Sequence, residues 1–324
     1  MRALVTGAGG FLGNHLARAL LARGHEVRAL VRPGGNRGEL AGLPVELVEG
    51  DATRLEDLRR AVRGCPWVFH LAGVRRAAVR QEFLRVNAEG TRLALEACLA
   101  EGAASERFVL AGSLAAAGPS REGKREDEPL QPAEWYGESK AEAERLALSL
   151  AGRLPVAVAR PPRIVGPGDR ENLPFFRLVA KGFLLELSGP ARPLSWIDVR
   201  DCARGFLALA ERPEAAGKAF FLASAERTDL AGLQRAAAAA LGATPRRVKL
   251  PAPALSAAAA AADLVTRLTG RRLPLNRKLA RQLLAPGWTC DPSRARDLLG
   301  FEARVSLADS IRDSCAWYRE QGWL

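Results

Sequence analysis

Tyr136 and Lys140 stand four residues apart in the stretch Tyr136-Gly137-Glu138-Ser139-Lys140. On a helix that spacing puts both side chains on one face. A phenol ordinarily titrates near pH ~10 and is a poor base at neutral pH. A neighbouring ammonium favours the phenolate and lowers that value. The pair can therefore shuttle a proton in an alcohol–ketone interconversion. Tyrosine occurs only twice in the 324 residues, which makes a chance pairing less expected. The plainer alternative is a surface Tyr and Lys on an ordinary helix. Ser113 ends the run Phe108-Val109-Leu110-Ala111-Gly112-Ser113. A hydroxyl there could hold a substrate oxygen while Tyr136 moves the proton, although a turn or a helix cap is a commoner use of serine.

A second stretch, Thr6-Gly7-Ala8-Gly9-Gly10-Phe11-Leu12-Gly13, suits a phosphate. It falls between a short apolar run, Arg2 to Val5, and a helical pattern from Asn14 to Arg23 with Leu16, Ala19 and Leu20 on one face. Gly7 can take the backbone shape of a tight turn, Gly10 has no side chain to hold a diphosphate off the backbone, and Gly13 lets helix and strand pack closely. The N–H groups and dipole at the helix start attract phosphates. The spacing is G-x-x-G-x-x-G, and a glycine-rich turn that binds nothing is the alternative.

Alternating strands and helices must position these residues. Beyond the first strand, strands are expected over 24–32, 45–49, 67–71, 107–111 and 156–160, with helices over 55–62, 83–101 and 136–150. A polar, Pro-rich loop is expected over 119–132. Such alternation predicts an α/β fold, a doubly wound parallel sheet with helices on both faces. Right-handed crossovers then gather the strand C-terminal ends on one edge, where ligands bind. Thr6, Arg32, Asp51, His70, Ser113 and Arg160 all fall at or just past such ends. After Arg160 the alternation stops. Residues 1–165, with a return from about 195–225, are expected to form the dinucleotide-binding domain, and 166–324 a smaller, mostly helical substrate lobe. The Ala runs at 236–240 and 257–262 read as helix.

Composition narrows the classes. A hydrophobic fraction of 48% and a charged fraction of 26% describe an ordinary globular protein. The net charge of +12 would suit a nucleic acid, an anionic membrane or an acidic ligand. The basic residues are scattered, however, and 6% aromatics is thin for stacking on bases, so no nucleic-acid partner is expected. Five cysteines form no C-x-x-C pair and only three histidines occur. No metal site or disulfide framework is expected, and a reducing, cytoplasmic setting is. No apolar run reaches spanning length, and the first strand leaves no room for a cleaved signal.

Taken together, the chain resembles an extended short-chain dehydrogenase/reductase. The family's T-G-x-x-G-x-x-G matches Thr6 to Gly13, its H-x-A-[AG] matches His70 to Gly73, and its N-x-x-G-T matches Asn87 to Thr91. Its S-x-x-x-x-G matches Ser113 to Gly118, its Y-x-x-x-K matches Tyr136 and Lys140, and its R-P-x-x-[VI]-x-G-P-G-D matches Arg160 to Asp169. Trp196 to Ala203 resembles the F-I-H-V-x-D-V-A segment. The matches run in the family's order over most of the chain. The resemblance implies a Rossmann-type fold in which Tyr136 is the general acid/base, Lys140 lowers its pKa and holds the nicotinamide ribose, and Ser113 orients the substrate oxygen. It further implies cofactor contacts from Gly7, Gly10, Phe11, Leu12, Gly13, Arg32, Asp51, Ala52, Leu71, Ala72, Gly73, Tyr136, Lys140, Pro161 and Ile164. Substrate contacts would come from Val74, Ser113, Tyr136 and Arg163, and a homodimer is common in the family. Leu110, Ala111 and Gly112 replace the commoner Tyr/Thr/Ser run, and Ala117 and Val165 stand where Tyr is frequent. The more apolar site disfavours a nucleotide sugar.

A dinucleotide fold selects its ribose about 20 residues after the glycines, where an acid suits NAD and Arg suits the 2′-phosphate of NADP. Arg32 stands there, with Arg28 and Arg37 nearby, and guanidinium forks bind phosphate well. NADP is favoured over NAD; the alternative is an Arg32 that faces solvent. Val27 to Pro33, Leu250-Pro251 and Pro274-Leu275 resemble the dihydroflavonol-reductase-like and 3β-hydroxysteroid-dehydrogenase-like branch, and also proteins labelled hopanoid-associated sugar epimerases. A bulky apolar alcohol or ketone is therefore expected: a sterol, polyketide, flavonoid or β-keto acid. A nucleotide-sugar epimerase or dehydratase with tightly held NAD is the alternative. Phe175-Phe176, Phe183-Leu184-Leu185 and Leu194-Ser195-Trp196 could line an apolar pocket, though most read as core. Residues 250–281 mix an Ala/Leu helix with Arg267, Arg271, Arg272, Arg277, Lys278 and Arg281. Such a segment can rest on an anionic membrane; a solvated helix face is the alternative.

Overall fold

A computed structural model describes residues 1–35, 37–269 and 275–324, without the side chain of Arg267. The expectations placed on Arg267, Arg271, Arg272 and Pro274 therefore fall outside what is described. In chain order the strands are β1 (Arg2–Thr6), β2 (Glu26–Val31), β3 (Val45–Glu49), β4 (Trp67–His70), β5 (Arg107–Ala111), β6 (Ser120–Lys124) and β7 (Val156–Ala159). They continue as β8 (Arg163–Val165), β9 (Phe183–Leu187), β10 (Leu194–Asp198), β11 (Lys218–Phe220), β12 (Arg227–Thr228), β13 (Arg246–Leu250) and β14 (Trp288–Cys290).

Seven strands form one parallel sheet in the order β11-β7-β5-β4-β1-β2-β3. Strands β1, β4, β5 and β7 are short Val/Leu/Ala/Phe runs, as strands covered on both faces must be. One face is packed by Leu16, Leu20, Phe206 and Leu209 of the helices Phe11–Ala22 and Val199–Glu211. The other is packed by Leu58, Leu95, Cys98 and Ala147 of the helices Leu55–Val62, Gly90–Glu101 and Trp135–Ser149. This is a Rossmann-type, doubly wound sheet. The register sets Thr6 beside His70, His70 beside Leu110, and Ala111 beside Ala159. The C-terminal ends of the four central strands therefore line up, and the strand order reverses between β1 and β4, where such sheets bind ligands.

The rest of the chain builds a smaller layer over that edge. It holds β12-β10-β14-β6, with β8 on β10, the pair β13–β9, and a third core around Phe176, Trp196 and Tyr318. The stretch expected as loop over 119–132 contains β6. Its sequence, SREGK, has no apolar alternation, and its partner β14 comes from the far end of the chain. Both Ala runs are helical, within Leu230–Leu241 and Ala252–Thr269. Among the described residues no helix is long and apolar enough to cross a membrane, and the five cysteines are buried and free.

Candidate active site

The glycine turn shows why side chains are absent from it. Gly7 has φ +72°, and a Cβ on it would stand 2.9 Å from the Ala72 amide nitrogen. A Cβ on Gly13 would stand 2.2 Å from the Gly7 carbonyl oxygen, so Gly13 is what lets the helix lie against β1. At Gly10 a Cβ would meet only that same oxygen, at 3.1 Å, and would otherwise project into open space. The helix Phe11–Ala22 begins at Gly10 with no side-chain cap and no acid in its first turn. The N–H groups of Phe11, Leu12 and Gly13 are left without intrahelical partners, in the positive field of the helix end. These residues fit a dinucleotide diphosphate.

Thr6 joins that turn to the end of β4. Its hydroxyl oxygen accepts from the Leu71 and Ala72 amides, both at 3.1 Å, and lies 3.0 Å from His70 Nδ1. With two donors already on the oxygen, the hydroxyl proton goes to Nδ1, which leaves the His70 proton on Nε2. Burial, assisted by the Lys140 charge, pushes the His70 pKa down to about 3, so the ring is neutral. Beyond Gly73, Val74 is held by Asn87: its N–H donates to Asn87 Oδ1 at 2.8 Å and its carbonyl accepts from Asn87 Nδ2 at 3.0 Å. Asn87 also donates to Ser139 Oγ at 2.9 Å, and so ties this segment to the helix Trp135–Ser149. It sits in a π-helical turn, Leu84–Glu89, a distortion common at functional sites.

Just past the end of β3, Asp51 Oδ1 accepts from the Thr53 amide and hydroxyl, at 2.8 and 2.9 Å. Burial alone would raise its pKa; the Thr53 bonds and the charges of Arg32 and Arg85 bring it below the ordinary value. The Ala52 carbonyl lies against Gly90, where a Cβ would come within 3.2 Å. Arg32 is exposed, and its guanidinium makes no hydrogen bond to a described residue. Arg28 and Arg37 do not stand beside it as free cations. Arg28 is buried on the carbonyls of Ala61 and Arg63 and pairs with Glu46 at 2.9 Å, and Arg37 pairs with Glu49.

Ser113, Tyr136 and Arg163 lie on the wall of a cleft of about 1060 Å³ between this edge and the smaller layer. Ser113 caps the short helix Leu114–Ala117, its Oγ accepting from the Ala115 amide at 3.1 Å, and its hydroxyl also acts on the Tyr136 phenol. Lys140 is buried on the same helix face as Tyr136 and donates to the Ala111 carbonyl at 2.7 Å. Its ammonium also lies beside Gly73 and Asn87: a Cβ on Gly73 would come within 3.4 Å of Nζ. Burial lowers its pKa to about 8, with Arg75 contributing. The expected lowering of the Tyr136 pKa by Lys140 is not what the structure shows. Burial raises the phenol, and the effects that pull it back are the Arg75 charge and the Ser113 hydrogen bond. Pro161 accepts from the Leu114 amide at 3.0 Å, Ile164 packs on the sheet core, and Arg163 donates to Asn172. Of the apolar lobe residues, Leu194 and Ser195 line the cleft, Phe176 and Trp196 are buried core, and Phe183 is exposed. Arg160, expected at the ligand edge, is buried against Glu144.

The profile of the NAD dependent epimerase/dehydratase family matches residues 3–223. The chain belongs to this family. Ceramide reductase of Caulobacter vibrioides is 34% identical over 327 residues, 99% of this chain and 95% of that protein. Sterol demethylase protein B of Methylococcus capsulatus is 31% identical, over 100% of both chains. The crystal structure of DesIV, a dTDP-glucose 4,6-dehydratase from Streptomyces venezuelae with NAD and TYD bound, aligns with a TM-score of 0.80 at 25% identity, over 100% of this chain and 98% of that one. This member of the epimerase/dehydratase family is thus an enzyme of the nicotinamide-dinucleotide type. Two residues of its site carried no assigned role in the sequence reading. Asn87 was visible only as a letter of a motif, and Arg75 is one of the 48 Lys and Arg residues, with no spacing to mark it.

Proposed function

We propose that this protein is an NADP-dependent reductase that interconverts a ketone and a secondary alcohol on a bulky apolar molecule. The observation that carries this reading is the Ser113–Tyr136 pair on the wall of a large cleft, on the sheet edge that also holds the glycine turn. Residues 1–165, with a return from about 195–225, hold the dinucleotide, and the rest of 166–324 closes over the substrate. The bound cofactor supplies the hydride. Gly10, Phe11, Leu12 and Gly13 hold its diphosphate, Asp51 and Ala52 the adenine side, and Lys140 the nicotinamide ribose. Ser113 holds the substrate oxygen, and the Tyr136 phenol, protonated at neutral pH as an ordinary phenol is, gives that oxygen its proton. The pH-7 state of the site therefore suits reduction. Relatives named for ceramide and sterol chemistry support an apolar substrate.

Arg32 supports NADP, because it is the guanidinium at the end of β2 with no hydrogen-bond partner among the described residues. Wild type is expected to bind NADPH more tightly than NADH, and Arg32→Gln to lose about 10- to 100-fold in NADPH affinity with little change for NADH. Titration of cofactor fluorescence, followed by NADPH oxidation with 3-oxo lipids and with nucleotide sugars, tests both halves. Tighter NADH binding, or turnover of the nucleotide sugars alone, removes the reading.

The lobe would meet its substrate at an anionic bilayer. The helix Ala252–Thr269 exposes Leu264 (56%), Val265 (42%) and Leu268 (77%), and Arg281 of the helix Arg277–Leu284, which packs against it, is exposed as well. An apolar strip beside a cation suits a lipid headgroup layer. Sedimentation with anionic vesicles at low salt is expected for wild type, weakened by Leu268→Asp and absent with zwitterionic vesicles. Equal recovery on both vesicle types counts against it.

A further inference from the structure

The cleft wall carries ten charged side chains, and nearly all are satisfied from within the chain. Arg76 pairs with Glu171 at 2.7 Å, Lys278 with Glu134 at 3.3 Å, and Asp263 with Arg277 at 3.9 Å. Arg163 donates to Asn172, Arg192 to the carbonyls of Ser188 and Pro190, and Asp229 accepts from the Gly232 amide and pairs with Arg235. Two remain without a hydrogen bond or ion pair to a described residue, Arg75 and Glu186. Glu186 belongs to β9, in the smaller layer. Arg75 stands at the catalytic end, five residues after His70, and its charge reaches Tyr136, Lys140 and Arg163.

Three cations thus gather where the reaction would occur, and of these Arg163 is balanced in part by Asp169 and Glu171. The carboxylates of the same wall that could neutralise Arg75 are committed elsewhere: Glu171 to Arg76, and Glu134 to Lys278 and Gln282. Arg75, held beside other cations with no carboxylate bonded to it, is unfavourably placed, and the energy is regained when an anion enters. A guanidinium is also the group best shaped to hold an oxyanion by two parallel hydrogen bonds. The glycine turn already accounts for the cofactor diphosphate, and Arg75 faces the cleft beside Ser113 and Tyr136.

We propose that Arg75 is a substrate-anchoring residue, which holds an oxyanion, a carboxylate or a phosphate monoester, carried by the apolar substrate close to the carbonyl that is reduced. This rests on the reductase reading and narrows it: the substrate has an apolar body and an anionic group near the reacting carbon. A neutral ketone would then be a poorer substrate than its acid counterpart.

The test uses the protein saturated with NADP. Three probes of one chain length are titrated: a long-chain 3-hydroxy acid, its methyl ester and the corresponding alkyl phosphate. Wild type is expected to bind an anion about 10- to 100-fold more tightly than the ester, as a charge-assisted bond implies. The tighter of the two anions names the oxyanion. Arg75→Gln is expected to bind anion and ester alike, and Arg75→Lys to keep part of the preference, with NADP affinity unchanged in both. Equal binding of anion and ester by wild type overturns the proposal. So does a preference that survives in Arg75→Gln, or a loss of NADP affinity as large as the loss for the anion. Turnover of the 3-oxo ester and 3-oxo acid with equal kcat/KM would leave the reductase reading intact and remove Arg75 from it. Arg75-dependent binding of the acid without turnover would do the reverse.

Discussion

Tyr136→Phe is expected to lower kcat for ketone reduction by about 10²- to 10⁴-fold, the usual worth of a positioned proton donor. The fold and cofactor affinity should stay near wild type, because the change removes only the hydroxyl. The ring keeps its edge-on contact with Phe83, at 6.4 Å between centroids, and Phe83 in turn carries the Lys278 ammonium 4.4 Å from its centre. What is lost is the phenol's interaction with Ser113 and the proton itself. Ser113→Ala should cost less, since the phenol proton remains. NADPH oxidation with a 3-oxo substrate, read beside NADPH affinity and thermal unfolding, separates chemistry from folding. Activity within about tenfold of wild type for Tyr136→Phe would show that the proton comes from elsewhere.

The parts of this site that follow from local backbone geometry were legible in the sequence. The turn could be read because Gly7 takes a positive φ and a Cβ on Gly13 would strike the Gly7 carbonyl six residues back, both local demands of the chain. Strand β5 and the helix Leu55–Val62 fall on the expected bounds, because a buried apolar run and an amphipathic period are local signals; β3 does so too, although none of its residues is buried. What depends on distant partners was not legible. Arg28 looks like a free cation in sequence, yet the carbonyls of Ala61 and Arg63 fold over it. Strand β6 exists only because β14 pairs with it. The Tyr136 pKa was misjudged for the same reason. Spacing on a helix reveals that Lys140 shares a face with Tyr136, but not that its ammonium turns to the Ala111 carbonyl, nor that burial outweighs the charge effect.

The same helix face yields the largest expected effect on stability. Tyr136, Lys140 and Glu144 recur every four residues and so lie along one helix face. Lys140 reaches the end of β5 at Ala111, and Glu144 reaches Arg160, just past the end of β7. Glu144 and Arg160 are both buried, with Arg160 Nε 3.1 and 3.0 Å from the two carboxylate oxygens and its guanidinium 5.3 Å from the centre of the Phe221 ring. Such a pair adds little net stability over an apolar one, because both charges had to leave water. Removing a single partner is different, since it strands a buried charge. Arg160→Met is expected to destabilise the protein by about 3–5 kcal/mol, or to lower Tm by roughly 10 °C. Adding Glu144→Leu to it should restore most of that loss. Thermal unfolding of the two variants beside wild type measures both. If the pair also sets the register of the catalytic helix, the double variant should regain Tm while its kcat stays low, because Tyr136 would no longer be held in line with Ser113. Recovery of kcat together with Tm would show that Lys140 and Asn87 alone fix the helix.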